Sequence, residues 1–199
     1  GGTGLMAGWS IHEGEAVVLD RRDVDTDQLI PARFMSASRA EGYGRFLLHD
    51  LREDDADFPL DRHPGASVLV AGPNFGCGSS REAAVYALVD AGIRVVVAES
   101  FADIFAGNAV NNGLLPVATP EAAALRAAIG PGAAPARIDL ATRRLSVAGR
   151  ELDFALSETA QAKLINGWDD IDLTRAHAGD IRNFRDRRKT DHAWAWPSA

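Results

Sequence analysis

Asn74-Phe75-Gly76-Cys77-Gly78-Ser79-Ser80-Arg81-Glu82 is the stretch on which the fold turns. It follows Ser67-Val68-Leu69-Val70-Ala71, an apolar run of strand length. It precedes Ala83-Ala84-Val85-Tyr86-Ala87-Leu88-Val89, the body of a helix expected over 80–91. Glycines, two hydroxyls and an arginine therefore sit where a strand hands over to a helix. Such a junction gathers backbone N–H groups at the positive end of a helix dipole, which suits an anionic ligand.

Working outward, the pattern is α/β. Val95–Ala98 reads as a second buried strand, Phe101–Asn111 as a short helix and Leu114–Val117 as a third strand. Strands alternating with helices argue for βαβ units around a mostly parallel core. Upstream, Ala16–Leu19 is a further strand candidate, followed by Asp23-Val24-Asp25-Thr26-Asp27-Gln28-Leu29-Ile30-Pro31. Residues 32–66 read as a long polar connection with a short helix near 45–51, and connections of that length are usually functional. Downstream, Thr119-Pro120-Glu121 opens a helix with a cap and a proline in its first turn. Beyond Gly130-Pro131-Gly132 come added short strands at 137–140, 145–147 and 151–154, the last two joined by a turn at Ala148-Gly149. A helix from Ser157 to Ile165 closes near Asn166-Gly167. Residues 177–199 are a charged tail or docked arm, and Gly1–Leu5 ahead of Met6 read as a cloning remnant.

Composition bounds the function. The chain has 199 residues, enough for one full core, and a net charge of −7 that gives no support to a nucleic-acid or membrane-surface role. No apolar run reaches the length of a membrane span. Cys77 is the single cysteine, which excludes an internal disulfide, fits a reducing, cytoplasmic compartment and cannot hold an iron–sulfur cluster by itself. The five histidines are scattered without metal-ligand spacing, so no metal is assigned to this chain.

Within the turn, Ser79 and Glu82 match the Ser-x-x-Glu capping box, and from the local pattern alone a cap is the simpler reading. Other features point to a ligand. Gly76 and Gly78 clear both sides of Cys77 for a close approach to the backbone. Ser80 has an uncommitted hydroxyl. Arg81 places a bidentate carboxylate binder in a first helical turn, where the dipole disfavours its charge.

The 74–82 stretch, the 23–31 stretch and Ser100-Phe101-Ala102-Asp103-Ile104-Phe105 with Asn108, Asn111-Asn112 and Leu114-Leu115-Pro116 together resemble the small subunits of 3-isopropylmalate dehydratase, in the aconitase superfamily. The resemblance covers roughly Met6 to Ala176. It implies the aconitase-like swivelling β/β/α domain over 6–176. It also implies a large partner subunit bearing a 4Fe–4S cluster, and a small hydroxy-acid substrate isomerised by loss and return of water in leucine biosynthesis. Residue by residue, Ser79 matches the serine that abstracts the proton beside a carboxylate, and Asp27 an active-site acid. Arg81 matches the carboxylate clamp and Ser80 its support. Arg33, Arg39 and Arg45 lie in the loop that selects the substrate side chain in relatives, and Arg39 is the choice for a second carboxylate contact. Two departures matter. Ala83-Ala84-Val85 stands where many relatives have His-Ala-Pro, and the 34–44 loop differs from the commoner bacterial pattern. A paralogue acting on citramalate or another substituted malate is therefore an alternative, as is a non-catalytic anion-binding module. A self-contained serine hydrolase fits worse, because neither serine stands in a Gly-x-Ser-x-Gly elbow.

Overall fold

The structure is a computed structural model that describes residues 8–191. The segment 1–5, the end of the charged tail, Trp194 and Trp196 lie outside the described residues. One seven-stranded sheet organises the chain in the order β4-β3-β2-β1-β5-β6-β7. Strands β1 (Ile11–Val18), β2 (Val68–Val70), β3 (Val95–Ala98) and β4 (Leu115–Ala118) are parallel. The added strands β5 (Ala133–Asp139), β6 (Arg144–Val147) and β7 (Arg150–Asp153) form an antiparallel meander against the other side of β1.

The central strands β2 and β3 are buried on both faces, which is why they read as unbroken apolar runs. On one face, Val17, Leu69 and Val96 pack under helix α4 (Ala83–Asp90) and helix α5 (Asp103–Asn111) through Ala84, Leu88, Phe105 and Ala109. On the other, Val68, Val70, Val95, Val97 and Val117 pack under helix α6 (Ala122–Ile129) through Ala122 and Leu125. Strand β1 is longer than its apolar run. Residues 11–15 alternate between half-buried and exposed, because there only one side chain in two meets the core. Strand β5 likewise begins at Ala133, ahead of the expected 137, paired with residues 11–17 of β1.

The long 32–66 connection is folded. It carries three single 3₁₀ turns (32–34, 39–41 and 44–46), and Tyr43, Leu47, Leu48 and Phe58 join the α4 side of the core. Its helices lie slightly later than the expected 45–51. The first short helix of the chain is α1 (Thr26–Leu29), and this connection supplies α2 (His49–Asp54) and α3 (Pro59–Arg62). Leu48 stands at φ 52° ahead of α2, so the chain turns sharply before the helix can begin. Helix α6 starts at Ala122, with Thr119 Oγ1 accepting the Glu121 N–H at 3.1 Å one turn earlier.

Helix α7 (Glu158–Asn166) is capped by Ser157 and ended by Gly167 in the left-handed region, as its sequence indicates. Helix α8 (Asp170–Asp191) then runs continuously through the charged segment. Its first turn is tied to the body by Lys163, which donates to Asp170 and to Asn111 Oδ1 at 3.0 Å. Among the described residues no helix is long and apolar enough to cross a membrane.

Candidate active site

The segments leaving the C-terminal ends of β1, β2 and β3 are stitched together by short parallel bridges. Asp25 pairs with Cys77, and Phe75 pairs with Phe101. Gly76 N–H donates to Val24 O at 2.7 Å and Thr26 N–H donates to Cys77 O at 2.9 Å. Phe75 N–H donates to Ser100 O, and Ala102 N–H donates back to Phe75 O. Three stretches distant in sequence thereby become one surface. Gly76 stands at φ 78°, and a Cβ there would lie 2.2 Å from Phe105 Cγ, so only glycine fits. Gly78 stands at φ 96°, beside Asp25 and Thr26.

The expected capping box at Ser79 and Glu82 does not form. Helix α4 begins at Ala83, Glu82 occupies the N-cap position with helical φ and ψ, and no side chain caps it. The reason is local. The bridges and the two positive-φ glycines hold residues 76–80 off the helical path, and Glu82 accepts from Asn112 Nδ2 at 2.8 Å instead of folding back. A capping box does form one segment away. Asp25 Oδ1 accepts the Gln28 N–H at 2.7 Å while Gln28 Oε1 accepts the Asp25 N–H at 3.1 Å, which fixes the start of α1.

Freed from capping, Ser79 is exposed at the mouth of the turn, and its Oγ lies 3.1 Å from the hydroxyl of the buried Thr26. Sequence reading passed over Thr26, because a threonine between two aspartates carries no signal of its own. Ser80 is exposed beside Ser79. Arg81 reaches across to Asp27, Nη1 to Oδ1, at 3.4 Å, and the same carboxylate oxygen accepts the Ala32 N–H at 3.1 Å. None of the backbone N–H groups of residues 79–82 donates to another described residue. Four successive donors without a described partner, the α4 N-terminus and a guanidinium thus lie within one short stretch, a set that suits a carboxylate and the charge that builds on it during proton loss.

Arg39 is not brought to this cluster. It is paired with Asp90 at 2.7 Å and its guanidinium lies 4.1 Å above the Tyr86 ring, towards the C-terminal end of α4. Asp90 also accepts the Tyr43 N–H at 2.8 Å, so the 39–43 turn is fastened to α4 as a unit. Arg33 is paired with Asp50, and Arg45 with Glu41. Ala83 is buried in the core beneath the turn.

Electrostatics around the turn keep Cys77 out of the chemistry. Burial, with Asp25 and Asp23 behind it, pushes its thiol pKa up, so it is a poor thiolate ligand or nucleophile. As the sole cysteine it cannot hold an iron–sulfur cluster, so the residues of this chain do not fit that group. His49, Asp50 and Glu53 lie close enough together to suggest a metal, but they are at the surface. Arg33 already engages Asp50 and holds its pKa down to about 2.

Comparison with known proteins bears on the family and the fold. Residues 6–122 match the aconitase C-terminal domain family. A protein of Shewanella baltica strain OS185 named 3-isopropylmalate dehydratase small subunit is 46% identical over 193 residues, covering 90% of this chain and 96% of its own. A protein of Shewanella amazonensis with the same name is 43% identical over 195 residues, covering 92% and 97%. The crystal structure of a 3-isopropylmalate dehydratase from Methanocaldococcus jannaschii superposes with a TM-score of 0.68 at 29% identity, covering 87% of this chain and 99% of that one.

Proposed function

The chain belongs to the 3-isopropylmalate dehydratase small subunits of the aconitase superfamily, and on that premise we propose how its residues work. It acts as the small subunit of a heteromeric hydro-lyase that interconverts 2-isopropylmalate and 3-isopropylmalate by dehydration and rehydration. The observation that supports the reading is the exposed turn with Ser79, Ser80 and Arg81 in succession, Arg81 reaching Asp27, and backbone N–H groups at 79–82 that have no acceptor among the described residues.

The substrate carboxylate sits against Arg81 and the N–H groups of residues 79–82, with the Ser80 hydroxyl beside it. Ser79, as the alkoxide, takes the proton from the carbon next to that carboxylate. The C–H bond breaks, the Ser79 O–H bond forms, and the electron pair moves towards the alkene. The charge that spreads onto the carboxylate is met by the guanidinium and by amide dipoles already in place, so little reorganisation is needed. Asp27, accepting from Arg81 as a carboxylate, orients the guanidinium at the mouth of the turn, at the position where relatives carry an active-site acid. In the return direction Ser79 gives its proton back to carbon. The family's 4Fe–4S cluster is assigned to the large subunit, and departure of the hydroxyl to that subunit's side of the closed cleft. Arg39 anchors the 39–43 turn on α4.

Reconstitution tests the reading. The chain is mixed anaerobically with a cluster-loaded large subunit from the same genome, and alkene absorbance is followed with 3-isopropylmalate, citramalate and other substituted malates. Turnover that needs both chains and is best with 3-isopropylmalate supports it. Preference for citramalate reassigns the substrate, and no turnover by a verified complex leaves an anion-binding module.

A further inference from the structure

Thr26 is 2% exposed, and a hydroxyl so deeply buried needs a partner to offset its lost hydration. Among the described residues its side-chain oxygen has one partner, Ser79 Oγ at 3.1 Å. The position of Thr26 is fixed from several directions. Asp25 caps its helix, its own N–H is bound to Cys77 O, and its C=O accepts the Ile30 N–H at 3.0 Å. The exposed serine at the mouth of the turn thus leans on a rigid, buried hydroxyl.

We propose that Thr26 is a positioning residue for Ser79, and that its hydroxyl stabilises the serine once the serine has lost its proton. The inference rests on the reading of Ser79 as the base. While both groups are neutral either oxygen can donate. When Ser79 is an alkoxide it has no proton to give, so only Thr26 can donate, and the hydrogen bond becomes charge-assisted. The Thr26 proton stays on Thr26 throughout. The same contact restrains the Ser79 rotamer, which the absent cap would otherwise leave free. Thr26 therefore favours the basic form of Ser79 and touches no substrate.

The test uses the assembled two-subunit enzyme. Thr26→Val keeps the shape and removes the hydroxyl, while Thr26→Ser keeps the hydroxyl. Thr26→Val is expected to assemble normally, to lower kcat by about 10- to 100-fold, and to move the rising limb of the kcat–pH profile about one unit to higher pH. Thr26→Ser should restore most of the rate and the original profile. A wild-type rate and profile in Thr26→Val overturns the proposal, and so does an equal rate loss in both variants with an unmoved profile. If Thr26→Val fails to assemble, Thr26→Ala is put to the same pH measurement. Full turnover by Ser79→Ala would instead overturn the base assignment, whatever the Thr26 variants do.

Discussion

Arg81 meets Asp27 at 3.4 Å across the mouth of the turn that carries Ser79, a distance at the loose end of an ion pair. Asp27 is well exposed and its oxygen is shared with the Ala32 N–H, so the guanidinium is aimed without being consumed. An exposed pair of this kind contributes at most about 1 kcal/mol to stability. Its value lies in where it leaves the arginine pointing.

Arg81→Lys removes the bidentate fork and keeps the charge. In the assembled enzyme kcat/KM is expected to fall about 100-fold, a loss of about 3 kcal/mol of transition-state stabilisation, with the melting temperature of the isolated subunit almost unmoved. Steady-state kinetics alongside thermal melts check both halves. An unchanged kcat/KM would remove Arg81 from the site.

Ser79→Ala should abolish turnover, by about a thousandfold or more, while leaving association with the large subunit intact. Size-exclusion chromatography of the mixture separates lost chemistry from lost assembly. Because Ser79 does not cap α4, helix content by circular dichroism should stay the same, whereas loss of a true cap costs about 1 kcal/mol.

Arg39→Ala should cost under about 1 kcal/mol, since the pair with Asp90 is partly exposed and the stack on Tyr86 adds only a little. With Arg39 anchoring the 39–43 turn, KM should change by less than about threefold. A tenfold rise in KM at constant kcat would instead return it to the role of second carboxylate contact.

Glu99 predicts an acid-sensitive element. Arg126 holds it by a bidentate contact, at 2.9 and 2.6 Å, and this hydrogen bonding lowers the Glu99 pKa. A carboxylate whose folded pKa lies below its unfolded value, about 4.3, adds stability that is present above that value. That stability drains away as pH falls through the folded value. Glu99→Gln should therefore lower stability by about 2 kcal/mol at pH 7. The gap to wild type should close below about pH 4, as denaturant melts across pH would record.

Gly76→Ala combines a positive φ with a contact 2.2 Å from Phe105 Cγ, so the Cβ has nowhere to go. A stability loss of about 3 kcal/mol or more is expected, or failure to fold. By contrast Gly65→Ala, with open space around its Cβ, should be nearly neutral.

How far the sequence could be read follows from these particulars. The strands at 68–70 and 95–98 were legible because both of their faces are covered, which leaves an apolar run with no gaps, and 115–118 stood out as a short apolar run although Ala118 is exposed. The first half of β1 was not, since alternating half-exposed residues such as His12 and Glu13 resemble a loop until β5 is seen beside them. Ser79, Ser80, Arg81 and Asp27 could be picked out as types and by resemblance; what the structure adds is the contact of Arg81 with Asp27 and of Ser79 with Thr26. Whether Ser79 capped a helix could not be decided locally. The answer depends on the pairing of Cys77 with Asp25, a contact between segments that no window around residue 79 contains. The same holds for Thr26, whose role exists only through that pairing, and for Arg39, whose partner Asp90 lies a whole helix away from the turn.

The bridges from Asp25 to Cys77 and from Phe75 to Phe101 have a consequence for the order in which the chain becomes competent. Neither joins neighbours in sequence, so the loop-closure cost of both must be met before the turn takes shape. A nascent chain that has not yet delivered Phe101 has the serine, the arginine and the glycines, but lacks one of the two bridges that hold their turn in place. A partner that docks against this surface would meet a recognisable face only on a finished protein. Unfinished or truncated copies would then be passed over at assembly, with no separate inspection step required.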